Sequence, residues 1–158
     1  MSDTRELYRN VNKGTGWIDT PGTKAVYGFV GKEGPLVLTN LRVDVSTDFA
    51  TLAISSLSDE PIERSSNMLL TAVGRADNTG SRYNEDHTQQ LDVGQGPVQV
   101  EIIEASIGIT TDRRNLRVIA INPQGLITGY IPSAYKNGVF TFEIGREYQS
   151  MYYLIQAL

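Results

Sequence analysis

The sequence predicts an all-β fold: a mostly antiparallel β-sandwich, jelly-roll-like, with little or no helix. Three observations carry this reading. Short segments alternate apolar and polar residues with a period of two, the pattern of a strand with one face on a core. Clusters of Gly, Pro, Asn and Asp punctuate the chain at roughly eight- to twelve-residue intervals, as in sandwiches and barrels. No window of a dozen residues places apolar side chains at i, i+3, i+4 and i+7, the signature of a helix.

The strands follow in order. LRVDVS (41–46) puts Leu41, Val43 and Val45 on one face and Arg42, Asp44 and Ser46 on the other. FATLAISSL (49–57), NMLLTAV (67–73) and LRVIAI (116–121) are more continuously apolar, as central strands covered on both faces would be. PVQVEI (97–102) alternates with Val98, Val100 and Ile102 inward. GVFTFEIG (138–145) sets Phe140, Phe142 and Ile144 opposite Thr141 and Glu143. SMYYLIQAL (150–158) reads as a further strand zipped into a sheet.

Turn chemistry joins them. Asn137-Gly138 suits the two positive-φ positions of a tight hairpin turn, and Pro123-Gln124-Gly125 another reversal. GKEGP (31–35) and DVGQGP (92–97) read as Gly-Pro loops, and a short helical turn fits near Ser133–Lys136. With 158 residues, no internal repeat and no linker, residues 1–158 are expected to form a single domain.

Composition narrows the function classes. A net charge of −4, with 14 basic residues scattered among 18 acids, lacks the clustered Lys and Arg that a phosphate backbone requires, so no nucleic-acid partner is expected. There is no cysteine, which removes disulfides, thiolate nucleophiles and zinc–thiolate sites. No run approaches the ~18 apolar residues of a membrane span, and MSDTRELYRN lacks the apolar stretch of a signal peptide.

Candidates for catalysis are few. His87 is the single histidine, flanked by Glu85 and Asp86, and reads as an exposed loop residue. Neither a G-x-S-x-G elbow nor a phosphate-loop spacing is present. Carboxylate pairs leave no fixed spacing, and Glu85/Asp86, Asp44/Asp48 and Glu101/Glu104 are available. The polar stretch after Leu69-Leu70, through Asp77, Asn78, Asn84, Glu85 and Asp86, crowds oxygen donors together. Asp77, Asn78, Asn84 and Asp86 are the candidate ligands of a structural calcium, which takes ~6–8 oxygens; the alternative is that they satisfy turn backbone. No other cofactor is required.

Aromatic side chains supply the remaining chemistry. Trp17, with Tyr8 before it, offers a flat apolar face suited to a sugar ring, worth ~2 kcal/mol for ~80 Å² covered. Equally, Trp17 could close one end of the core.

Several stretches together resemble a known group of domains. IDTPGTKAVYGFVG (18–31) is followed by Phe49, Ser56-Leu57-Ser58-Asp59, Pro61-Ile62, the run Leu69 to Arg75 and Asn78-Thr79-Gly80. GQGPVQVE (94–101) and MYYLI (151–155) complete the pattern. The chain is similar, from about Trp17 to Ile155, to β-sandwich ancillary domains appended to bacterial glycoside hydrolases, carbohydrate-binding-module-like and commonly following a (β/α) barrel. Ser81 stands where that pattern has a bulkier residue.

The resemblance implies a non-catalytic carbohydrate-binding module, excised from a larger secreted bacterial enzyme, that holds a plant-type polysaccharide near a catalytic domain. Its alternative is a structural accessory sandwich that packs on a glycosidase barrel and binds no sugar. The expected partners are therefore a polysaccharide and the parent catalytic domain, with no membrane and an extracellular location. Trp17, Tyr8, Tyr83, Arg82 and Tyr135 are the candidate carbohydrate-binding residues. The stretch at 69–88 is read as a strand end and the polar loop leaving it.

Overall fold

Alternation at the expected positions produces the two sheets of a β-sandwich in the computed structural model, which describes Met1 to Leu158. The larger sheet has eight strands, in spatial order β1 (Leu7–Asn10), β2 (Thr15–Asp19), β3 (Thr23–Gly28), β6 (Ala50–Ser56), β7 (Asn67–Val73), β17 (Tyr152–Ala157), β13 (Leu116–Ile121) and β14 (Ile127–Ile131). The smaller has five: β15 (Ser133–Lys136), β16 (Val139–Ile144), β12 (Ala105–Thr110), β5 (Leu41–Val45) and β4 (Leu36–Leu38). Every pairing is antiparallel. The chain passes back and forth between the sheets.

The inner faces meet in one cluster of 26 buried residues, and this single core ties both sheets into one unit. Val43, Val45, Ile107, Ile109, Phe140 and Phe142 enter from the smaller sheet. Val26, Leu52, Ile54, Leu70, Val118 and Ile155 enter from the larger. Each such side chain contributes roughly 1.5–3 kcal/mol by leaving water. The Asn137-Gly138 turn forms as its chemistry requires, with φ of 53° and 83°, and sets the β15–β16 register from Lys136↔Val139 onward.

Four sequence expectations change. First, residues 76–100 are a hairpin arm and not a polar loop. β8 (Ala76–Thr79) pairs with β11 (Gln95–Val100), and further out β9 (Arg82–Tyr83) pairs with β10 (Gln90–Asp92). The arm lacks a buried face and is held by side chain-to-backbone bonds instead. Asn78 Nδ2 and Ser81 Oγ both donate to the Val93 carbonyl at 3.0 Å, and Thr79 Oγ1 to that of Pro97 at 2.8 Å. Most of DVGQGP is thereby drawn into strands.

Second, PVQVEI does not face the core. Val98 is 61% exposed because β11 belongs to the arm, and the buried residue is Ile103, just beyond it. Third, Ser133–Lys136 is a strand; its pairing with β16 overrides the weak helical signal. Only two short 3-10 turns occur, at Val30–Lys32 and Arg146–Tyr148.

Fourth, β6, β7 and β13 are central but covered on one face only. Their second apolar face lies on the outside of the larger sheet. One row crosses all eight strands there, from Leu7 through Ile18, Ala25 and Ala53. It continues through Thr71, Tyr152 and Ile121 to Ile127. A second row holds Leu69, Leu154, Ile119 and Tyr130. The apolar run in each strand thus reflects a core on one side and a second apolar sheet surface on the other, where Ala25 and Ile119 are already buried and Leu7, Ile127 and Tyr130 are exposed.

Candidate functional site

The aromatic candidates are placed first by the pairing of β1 with β2. Tyr8 and Trp17 are direct cross-strand neighbours and stack with ring centroids 5.3 Å apart at 21°. Trp17 also lies opposite Val26 and packs against the core, so it closes one end of the sandwich and is half-buried. Tyr135 turns inward from β15, leans on the core and donates its hydroxyl to the Thr111 carbonyl at 2.9 Å. Both side chains have structural work in the monomer.

Arg82 and Tyr83 lie elsewhere, on the arm. Arg82 is exposed and reaches Asp92 Oδ2 at 3.6 Å across the β9–β10 pair. Tyr83 donates to Asp77 Oδ1 at 2.6 Å; that hydrogen bond, with partial burial and the Asp77 charge, holds the phenol above its usual pKa. Its ring stacks on His87, an exposed residue in the left-handed region at φ 53°. The five residues therefore occupy three separate places.

The proposed calcium ligands do not converge. Asp77 and Asn78 are consecutive in β8 and point to opposite sides. Asn84 Oδ1 accepts from the Thr88 and Gln89 amides at 2.9 and 3.1 Å, capping the turn at the arm's tip. Asp86 is exposed, and no group of three acidic or histidine side chains gathers at metal-binding separation. Adding calcium or a chelator is expected to leave Tm within about 1 °C, since only a ligand bound by the folded state shifts it. A calcium-dependent rise read by differential scanning fluorimetry would restore the metal site.

What the structure does build is a groove on the outer face of the smaller sheet. The central strand β12 turns Ser106, Gly108 and Thr110 outward, all small. Its neighbours turn larger residues outward: Arg42 and Asp44 from β5, Thr141 and Glu143 from β16. A strand of small side chains between two of longer ones makes a trough. Asp44, Ser106 and Glu143 form one row across it, and Arg42, Gly108 and Thr141 the next.

Two adjoining cavities of about 890 Å³ and 370 Å³ occupy the trough and share Asp44, Ser106 and Thr141 in their linings. The larger continues past the sheet to Glu104, Arg146, Glu147 and Tyr148. Arg146 Nε meets Glu104 Oε1 at 2.7 Å. The segment bearing these residues is fastened from below: the fully buried Tyr153 donates its hydroxyl to the carbonyls of Tyr148 at 3.1 Å and Ser150 at 2.9 Å. Partial burial, then the charge and hydrogen bonding of the neighbouring Glu147, raises the Tyr148 phenol above its usual pKa.

The lining sets the chemistry. Asp44 and Glu143 stand two strand spacings apart, about 10 Å between Cα atoms, which leaves room for a ring held from both sides. Four carboxylates (Asp44, Glu104, Glu143, Glu147) face two guanidiniums (Arg42, Arg146), giving a surface rich in acceptors for hydroxyl groups and hostile to polyanions. None of the five aromatic or arginine candidates lies here. The signal that marks the trough is ASIGIT (105–110), an alternation whose outward residues are all small.

Comparison with family models, with curated proteins and with solved structures finds no match to this chain.

Proposed function

We propose that the chain is a non-catalytic carbohydrate-binding module whose ligand, a neutral polysaccharide, lies in the groove over β12. The observation that carries this reading is the open trough with carboxylate, hydroxyl and guanidinium groups on its walls and Gly108 on its floor. A groove of this shape accepts the interior of a linear chain. Acceptors on both walls match ring hydroxyls. The resemblance to glycosidase-appended sandwich domains points the same way. Affinity in the micromolar to millimolar range suits a module that works by attachment.

Native affinity electrophoresis across soluble glycans tests it. Neutral β-glucans, xyloglucan or mannans are expected to retard the protein, and polyuronates such as pectin to leave it unretarded. Gly108→Phe separates binding from folding. A Cβ at Gly108 meets Val139 Cγ1 at 3.5 Å and Thr141 Cγ2 at 3.8 Å, ordinary contacts, so the sheet tolerates the change while the ring fills the floor. Retardation is expected to weaken at least about tenfold, about 1.4 kcal/mol of binding lost to the occupied floor, with Tm unchanged. Unchanged retardation in Gly108→Phe would remove the groove from the reading.

The second reading, an accessory sandwich that packs on a catalytic barrel, draws support from the apolar outer face of the eight-stranded sheet. Under it, no glycan retards the protein.

A further inference from the structure

We infer that the outer face of the eight-stranded sheet is a self-association surface, on which a second copy of this chain docks face to face. The proposal stands apart from the groove, which is on the opposite side of the sandwich. No further strand or helix of the chain packs across this face.

Three properties fit it to a copy of itself. The first is extent. Eight strands at about 4.8 Å spacing, over about 20 Å of strand length, give each copy a sheet footprint of about 800 Å². A footprint of this size has the lateral extent that a standard stable interface occupies. The second is charge. Two-fold docking sets a patch against itself, so any charge near the axis meets its own kind. Only Arg9 and Arg117 carry charge on this face, and they stand at opposite corners, on β1 and β13. The third is shape. The middle is made of Ala25, Ala53 and Thr71 in direct register, a low centre of small side chains between Tyr27 and Leu69, over which a second sheet can lie at ~10 Å.

Sedimentation velocity of the full chain, from about 1 to 200 µM, tests the proposal. A concentration-dependent dimer is expected. Ala53→Arg places a charge at the centre and is expected to raise the dimer dissociation constant at least about 100-fold, because the two arginines face each other. The side chain points to solvent in the monomer, so far-UV circular dichroism should be unchanged. Should Ala53→Arg fail to fold, Tyr130→Glu, at a residue 58% exposed near the β14 edge, carries the same expectation of a weakened dimer. A wild-type protein that stays monomeric throughout, or a dimer that neither substitution weakens, overturns the proposal. A monomer that forms a one-to-one complex with a purified glycosidase barrel overturns it as well and assigns the face to that barrel.

Discussion

Asp19→Ala is expected to lower the free energy of unfolding by about 3 kcal/mol, the lower end for breaking a buried ion pair, since Asp19 keeps some access to water. The Lys24 side chain is only 3% exposed and turns inward at the rim of the core. Its ammonium donates to Asp19 Oδ1 and, at 3.1 Å, to the Thr20 carbonyl. The other carboxylate oxygen accepts from the Thr39 amide and hydroxyl, both at 2.9 Å. Asp19 thus links the end of β2 in the larger sheet to the β4–β5 turn of the smaller. Removing it strands a buried cation and unties the sheets there. Lys24→Met in the same background should recover most of the loss, because the uncompensated charge is then gone. Urea unfolding decides: a loss below about 1 kcal/mol would put the pair among ordinary surface contacts.

The same carboxylate gives the protein an acid limit. Burial alone would favour its neutral form, but the hydrogen bonds from Lys24 and Thr39 and the Lys24 charge outweigh burial and hold its pKa below the ordinary 3.8. A depressed acid pKa stabilises the fold above the unfolded value and ceases to do so as pH falls through the folded one. Wild-type stability should therefore decline below pH 3.8 more steeply than that of Asp19→Asn, which has no charge to lose.

Gly28→Ala is expected to cost at least about 3 kcal/mol, through positive-φ strain and steric overlap together. Gly28 ends β3 at φ 100°, a conformation L side chains rarely adopt. A Cβ there would overlap the Gly14 carbonyl oxygen, which accepts the Phe29 amide at 3.2 Å, and would press on Thr15 Cα at 3.0 Å. All are backbone atoms and cannot swing aside. Gly22→Ala is the control: nothing lies within 4 Å of its Cβ and its φ is not positive, so stability should change by less than about 0.5 kcal/mol. Equal stabilities for the two variants would show that the β2–β3 hairpin relaxes more readily than its geometry implies.

The fold was legible where one physical rule dominates. Leu41, Val43, Val45, Phe140, Phe142 and Ile144 alternate because one face of a strand is buried, and all six are in the core. Asn137-Gly138 was legible because few other dipeptides accept two positive φ values. Residues 76–100 were not, because their strands are stabilised by hydrogen bonds from Asn78, Ser81 and Thr79 and leave no burial pattern. The groove was legible only in fragments. Arg42, Asp44, Thr141 and Glu143 were read as outward, but what joins them is the order β16-β12-β5, a pairing between residues some 60 positions apart on one side and 35 on the other. Trp17 was legible only as an alternative, a platform for a sugar ring or the closure of one end of the core, because what packs it on the core is its pairing with Val26, set by strand register.

The place of β17 carries a consequence for synthesis. Tyr152–Ala157 lies between β7 and β13, and hydrogen-bonds to both. Until it emerges from the ribosome, the nascent sheet is two halves, each ending in a raw apolar edge at Leu69-Leu70 or Val118-Ile119. Unpaired edges of this kind are templates for pairing with another chain, and these two wait through the making of residues 122 to 151. The strand that joins the two halves follows all the others in the chain and goes to the middle, so the two edges stay unpaired until it is made.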